Sequence, residues 1–273
     1  VISAGAIADE KPITLRFAGT QSLMHPVSVE GAQFFIKRVS ELSGGRIKIQ
    51  HFPAEQLGKS KDTLDVLARG GITDISFVGP SWYPGKLPLA TVGDLPGMYA
   101  DAGAASKAVW NVISTTIYQR ELPANESYEA MQKGVLAATF ANYVVADGQK
   151  LNEVVKFGTF GAPLGSFTNL YCINQRVWET LPKFAQEVLT KAGTETMDRL
   201  NEALAFREKE LVSKWEATGV MTVKHLTDAE QKRLFSVLQP VQEKWAADME
   251  RRGLPGNEIL AQFKRQLQAQ STK

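Results

Sequence analysis

The sequence predicts an α/β protein whose strands lie mostly parallel, joined by crossover helices. Two observations carry this. Short β-prone segments at residues 13–17, 46–52 and 72–78 alternate with amphipathic helical segments, and glycine pairs close the intervening helices. In such sheets ligands bind beyond the carboxyl ends of the strands, so the loops after these three segments are the first candidates for a site.

Ile13 to Phe17 alternates in polarity and reads as the first strand, ending in the turn-rich Gly19-Thr20-Gln21-Ser22. A helix is expected from about Pro26 to Leu42, with Ala32, Phe35, Ile36 and Val39 on one face and Gly44-Gly45 as its stop. Arg46 to Phe52 is the second strand. Ser60 is the expected cap of the next helix, which carries Leu64, Leu67 and Ala68 and ends at Gly70-Gly71. Ile72 to Val78 is the third strand, broken by Gly79-Pro80-Ser81-Trp82. Helices are expected over 102–118 and 126–133, and strands over 135–143 and 169–173. Met197, Leu200, Leu204, Leu211 and Trp215 mark one face of a long helix. Thr227 and Glu230 form a capping box for a helix whose stripe is Leu234, Leu238, Val241, Trp245 and Met249, and a last helix covers about 257–267. These stripes read as core.

The 273 residues suffice for two lobes or one large domain. With 31 basic and 29 acidic side chains, the net charge of +2 gives no footprint for nucleic acid or an anionic membrane. No apolar run approaches the length of a membrane span. The start, Val1 to Glu10, contains Ala6-Ile7-Ala8, a signal-peptidase pattern, so residues 1–8 read as a signal-peptide remnant or a tail. Cys172, the single cysteine, cannot form an internal disulfide and reads as a buried inert thiol.

The tempting chemistry is thin. Gly58-Lys59-Ser60 resembles the tail of a phosphate-binding loop, which makes a nucleotide hydrolase the alternative function. The glycine that pattern needs at position 53 is Pro53, which has no N–H for a phosphate cradle. His25, His51 and His225 have no partners at zinc-ligand spacing and read as structural. No nucleophile elbow is present, and Gly158, Gly161 and Gly165 read as loop or hinge. No catalytic residue, metal site or cofactor is expected.

Longer stretches are recognisable. Glu41-Leu42-Ser43-Gly44-Gly45-Arg46-Ile47-Lys48-Ile49, followed by Phe52-Pro53-Ala54-Glu55-Gln56-Leu57-Gly58, resembles the substrate-binding proteins of TRAP (tripartite ATP-independent periplasmic) transporters, the DctP type. Asp94 to Tyr99, Glu126 to Val135, Lys150 to Val154 and Arg176 to Pro182 are similar to the same family. The resemblance implies a two-lobed periplasmic-binding-protein-like fold, with mixed sheets flanked by helices and lobes discontinuous in sequence. Lobe I would comprise 9–119 and 167–206, and lobe II 120–166 and 207–273. It implies a periplasmic, monomeric binder of an organic acid that serves membrane permease subunits, without cofactor or catalysis; a sensor feeding a signalling kinase is a further alternative. The family carries about sixty more residues near 119–125, including the arginine that pairs with the solute carboxylate, and their loss would uncover apolar faces. Either the protein is shortened there or the sequence omits a segment, and that arginine has no counterpart to name. The family's D-G-Q-E-N is replaced by Ala137-Ala138-Thr139-Phe140-Ala141, with Asn142 one place beyond. The expected solute contacts are Thr20 and Gln21 as hydrogen-bonding groups, Lys59 as a positive charge, Ser81 and Trp82 as hydroxyl and wall, Phe140 as a stacking ring and Asn142 as a hydrogen-bonding amide.

Overall fold

The computed structural model describes residues 12–83, 85–99, 102–116 and 141–271. Strand β1 (Ile13–Ala18) runs parallel to β2 (Ile47–Phe52), with Ile13 opposite Ile47 and Ala18 opposite Phe52. On its other side β1 pairs in parallel with β3 (Ile75–Val78). The third strand is shorter than its apolar run. Asp74 accepts hydrogen bonds from the Arg16 backbone at 2.8 Å and from the Arg16 guanidinium, so residues before Ile75 form a side-chain clasp instead of a ladder. Ile72 is correspondingly half exposed.

Between these strands lie two crossovers. The first begins as a π-helical turn (Ser28–Gln33) and tightens into α1 (Phe34–Ser43), which Gly44 ends in the left-handed conformation at φ 60°. The second is α2 (Thr63–Arg69). Ser60 does not cap it. Asp62 holds the cap position, and the Ser60 hydroxyl instead donates to Glu55 at 2.5 Å. The helix begins at Thr63, so the cap position falls at Asp62 and Ser60 lies in the turn before it.

Beyond β3, 3₁₀ turns (Pro80–Trp82 and Pro88–Asp94) lead to α3 (Ala102–Thr116). The expected helix over 126–133 and most of the strand over 135–143 lie outside the described residues; Tyr143 itself opens α4 (Tyr143–Gly148). Strand β4 (Phe157–Phe160) follows, and β5 (Leu170–Ile173) then joins the main sheet antiparallel to β3, giving the order β2-β1-β3-β5. Helix α5 (Gln175–Thr180) precedes α6 (Lys183–Ala217), whose 35 residues span about 50 Å at 1.5 Å each. Strand β6 (Thr222–His225) pairs in parallel with β4. Helices α7 (Asp228–Arg251), opened by the expected Thr227–Glu230 capping box, and α8 (Gly256–Ser271) complete the described chain.

Two cores result, and α6 serves both. Its first half places Ala185, Leu189 and Ala192 in the larger core with Phe17, Val39, Ile47 and Val112. Its last turns place Leu211, Val212 and Trp215 in a smaller core with Tyr143, Val144, Leu151 and Met221. From sequence, all of 207–273 is expected in the second lobe. Ala246, Met249, Ile259, Leu260, Phe263 and Leu267 pack in the larger core, because the buried face of α7 is Gln242, Ala246 and Met249, and α8 lies against α3. Val241, expected in the buried stripe, is 45% exposed.

Candidate functional site

The three parallel strands end together, and the backbone ties their tips. The Gly19 N–H donates to the Phe52 carbonyl at 2.9 Å, Ala54 N–H to the Gln21 carbonyl at 2.9 Å, and Glu55 N–H to the Gly19 carbonyl at 3.0 Å. This continuation of the β1–β2 pairing requires Ala54 and Glu55 to adopt positive φ of 50° and 62°, a costly conformation for side-chain-bearing residues. Glu55 recovers part of that cost. Its carboxylate accepts from the Ser60 N–H at 2.8 Å, the Ser60 hydroxyl at 2.5 Å and the Lys59 ammonium at 3.1 Å. Burial alone would raise its pKa, but these donors outweigh burial and hold it below the usual carboxylate range. The phosphate-loop likeness of Gly58-Lys59-Ser60 is thereby explained: the loop's donors turn inward onto an internal carboxylate.

At this carboxyl edge lies a small cavity of about 10 Å³, room for one water, open in part to solvent. Phe17 of β1, Phe77 of β3 and Tyr171 of β5 back the cavity from the core, packed on one another with ring centroids 5.2 Å (Phe17–Tyr171) and 6.1 Å (Phe77–Tyr171) apart. Gly19, Thr20 and Gln21 form one wall, Val27, Ser28 and Ala32 of the π-helical turn another, and His51 of β2 closes the side. A π-helical turn widens the helix where it occurs and is often found at functional sites. Here it sets Ser28 against the cavity.

Thr20 Oγ1, Ser28 Oγ, His51 Nε2 and Tyr171 OH are all buried here and have no hydrogen-bond partner among the described residues. Each such orphan costs about 1–3 kcal/mol unless water or a ligand supplies the bond. Four around so small a cavity can be met by one water or by one small polar group. All four groups are neutral. Burial lowers the His51 pKa, and burial raises that of the Tyr171 phenol far beyond the ordinary range. Among the described residues, no Lys or Arg lines the cavity.

Of the residues expected from sequence, Thr20 and Gln21 lie in the cavity wall. Lys59 is largely exposed and pairs with Glu55 outside it. Trp82 stands behind the wall, its ring 5.6 Å from that of Phe77 and 5.5 Å from that of Phe167. Ser81 sits beside Asp94, whose pKa burial pushes up to about 6 against a hydrogen bond from the Thr168 N–H at 2.6 Å. Asn142 caps α4, its side-chain oxygen accepting from the Val145 N–H at 2.8 Å. Phe140 lies outside the described residues. Sequence reasoning missed Ser28, Tyr171 and the role of His51. A signal for His51 was present: it follows Ile47 and Ile49 at alternate positions of one strand, so it points to the same side as two apolar residues.

The family profile of the bacterial extracellular solute-binding proteins, family 7 (DctP), matches residues 18–121 and 114–248. The chain belongs to this family. The two matches overlap at 114–121, close to the place near 119–125 where the family carries more residues. The C4-dicarboxylate-binding periplasmic protein DctP of Rhodobacter capsulatus is 22% identical over 301 aligned residues, covering 90% of this chain and 89% of that one. That alignment is longer than this chain's 273 residues, so the relative carries residues with no counterpart here.

Solved TRAP solute-binding proteins share the fold. One from Rhodoferax ferrireducens, in complex with copurified benzoate, has a TM-score of 0.82 at 20% identity, covering 95% of this chain and 99% of its own. One from Bordetella bronchiseptica with bound mandelate has a TM-score of 0.79 at 18% identity, covering 94% and 99%. A marine metagenome protein specific for aromatic acid ligands, in complex with 3-hydroxybenzoate, has a TM-score of 0.81 at 17% identity, covering 94% and 98%. In this family-7 chain, the described residues contain no group of His, Cys, Asp or Glu side chains placed to hold a metal ion. None of their helices is long and apolar enough to cross a membrane.

Proposed function

We propose that this protein captures a small organic acid in the periplasm and delivers it to a TRAP-type membrane permease, catalysing nothing itself. The observation that carries the reading is the set of orphaned polar atoms around one cavity at the carboxyl edge of the sheet, where α/β proteins place ligands. Thr20 and Gln21 contact the solute from the first lobe. Phe140 and Asn142 approach from the second, Asn142 on release from its capping bond. Lys59, Ser81 and Trp82 act at the rim and behind the wall. The curated relative binds C4-dicarboxylates, and the solved relatives hold benzoate, mandelate and 3-hydroxybenzoate. All are organic acids, which supports that class here.

Closure is a hinge motion, with α6 running through both cores. Solute stabilises the closed state only to the extent that it touches both lobes. The test is a thermal-shift screen of organic acids, with neutral sugars and amino acids alongside. A solute at a hundred times its Kd adds about 2.7 kcal/mol of stability, which for a chain of this size raises Tm by about 5–10 °C. Sugars or amino acids raising Tm while every acid fails would overturn the substrate class.

A further inference from the structure

Two stretches of chain leave the smaller core side by side and enter the larger one at a single place. Strands β4 and β6 end together, with Phe160 opposite His225, and the Leu226 N–H donates to the Phe160 carbonyl at 3.1 Å. There the chains part, one as Gly161-Ala162 and the other as Leu226-Thr227. Gly161 holds a φ of 80°, which glycine adopts at little cost. The Gln231 side chain reaches back across the gap. Its Nε2 donates to the Leu226 carbonyl at 3.4 Å and would stand 3.0 Å from a Cβ at Gly161.

Both chains then land on residues 94–97. The Gly97 N–H donates to the Pro163 carbonyl at 2.6 Å, and Asp94 Oδ1 accepts from the Thr168 N–H at 2.6 Å. The crossover from β4 to β5 is thus tied to the first lobe at both ends of its exposed loop, residues 164–167. From α7, the Gln242 amide donates to the Pro96 and Gly97 carbonyls at 3.0 and 2.8 Å. Leu238 packs so closely on Gly97 that a Cβ there would stand 2.7 Å from the leucine Cβ. Gln242 is 3% exposed, and an amide buried that deeply is costly unless its hydrogen bonds are made. Pro240, which interrupts the hydrogen-bond ladder of α7, lies between the two contacts and is braced by them.

Resting on the reading of solute capture by lobe closure, we propose that Asp94 and Gln242 are positioning residues that clamp both connections onto the first lobe, so that closure bends them only at Gly161-Ala162 and Leu226-Thr227. The two bends lie side by side, which makes the motion a rotation about one axis. Helix α6 passes between the cores as well. It bends over the turn between Asn201, which accepts from the first-lobe Ser106 hydroxyl at 2.9 Å, and Leu204, which packs on the smaller core. Releasing the clamp spreads the lobes over orientations that cannot close on solute, and apparent affinity falls with the competent fraction.

The test is double electron–electron resonance on the whole protein without solute. Spin labels sit at Lys37→Cys on α1 and Lys214→Cys on α6, both exposed positions, in a Cys172→Ala background. Asp94→Leu and Gln242→Leu are each expected to broaden the interlobe distance distribution and to speed hydrogen exchange at the Gly97 amide by about tenfold. Asp94→Asn keeps an acceptor for Thr168 and should match the wild type in both. A glycine inserted between Gly161 and Ala162 should broaden the distribution, whereas one inserted between Ser166 and Phe167, inside the clamped loop, should leave it alone. Thermal melts establish which variants are folded, and the insertions decide if the leucine variants are not. An unchanged distribution in both folded leucine variants, or equal broadening by the two insertions, overturns the inference while solute capture stands. Titration with benzoate, mandelate and succinate tests the reading beneath it: an acid that raises the melting temperature without shifting the label distance overturns lobe closure itself.

Discussion

Gly31→Ala places a methyl group against the hydroxyl of Tyr171. The ideal Cβ lies 2.5 Å from that oxygen and 3.4 Å from Leu200 Cδ2, with the Tyr171 Cζ at 3.8 Å. The tyrosine cannot simply swing aside, since Phe17, Phe35 and Phe77 hold its ring at centroid distances of 5.2, 5.5 and 6.1 Å. Overpacking of this kind costs about 1–3 kcal/mol. Alanine in a helix recovers up to about 1 kcal/mol relative to glycine. The net expectation is a loss of about 1–2 kcal/mol, a fall in Tm of roughly 3–6 °C. The oxygen is the cause, so removing it should remove the penalty. In Tyr171→Phe the nearest remaining atom is Leu200 Cδ2, in ordinary contact, and Gly31→Ala there should be neutral or stabilising. Urea denaturation of the four members of the cycle measures the coupling, expected at about 1 kcal/mol or more. An equal cost of Gly31→Ala in both backgrounds would refute the claim that this glycine exists to admit the hydroxyl.

Asp94→Asn should stabilise the protein at pH 7. The folded carboxyl, pushed up to about 6 from 3.8, binds a proton more tightly than the unfolded one, so native stability falls as pH rises between about 4 and 6. The variant should recover about 1–3 kcal/mol at neutral pH and flatten that slope in melts taken across the range; a steeper slope would show the reverse shift. Glu55→Ala should cost about 1–3 kcal/mol by stranding the Ser60 donors and unlocking the left-handed turn at 54–55. Because the Glu55 pKa is depressed in the fold, its contribution is present above the unfolded value and disappears as pH falls through the folded one, so wild type and variant should converge in stability in acid. Cys172, whose thiol burial pushes up to about 12, should resist iodoacetamide at pH 8 in the native protein and react on unfolding in urea.

Much of the scaffold was legible in the sequence because its signals are local. β1, β2 and β5 follow from short β-prone runs, α1 from its stripe and Gly44, and α7 from the capping box at Thr227. What local patterns cannot carry is competition and long-range packing. Ser60 has the chemistry of a helix cap, yet the helix begins at Thr63 and Asp62 holds the cap position. Ile72 and Thr73 look like strand, yet Asp74 is drawn into the clasp with Arg16. Residues 246–267 carry nothing that names the core they join; only the fold shows α8 against α3.

Of the cavity's lining, Thr20 and Gln21 were legible as strand-end residues, because strand-end loops in parallel sheets are where ligands bind. Tyr171 was not, since β5 enters the sheet antiparallel and contributes from its beginning, a placement set by topology. Ser28 depends on the π-helical turn, and an unpaired hydroxyl leaves no trace in a sequence.

The most direct test is a crystal structure of the protein with whichever acid raises its melting temperature most. A polar group of the solute should enter the first-lobe cavity, with an oxygen about 2.7–3.2 Å from Thr20, Ser28, His51 or Tyr171. Density for the bound acid elsewhere, with Thr20, Ser28, His51 and Tyr171 untouched, would contradict the assignment of this cavity as the place where solute is held.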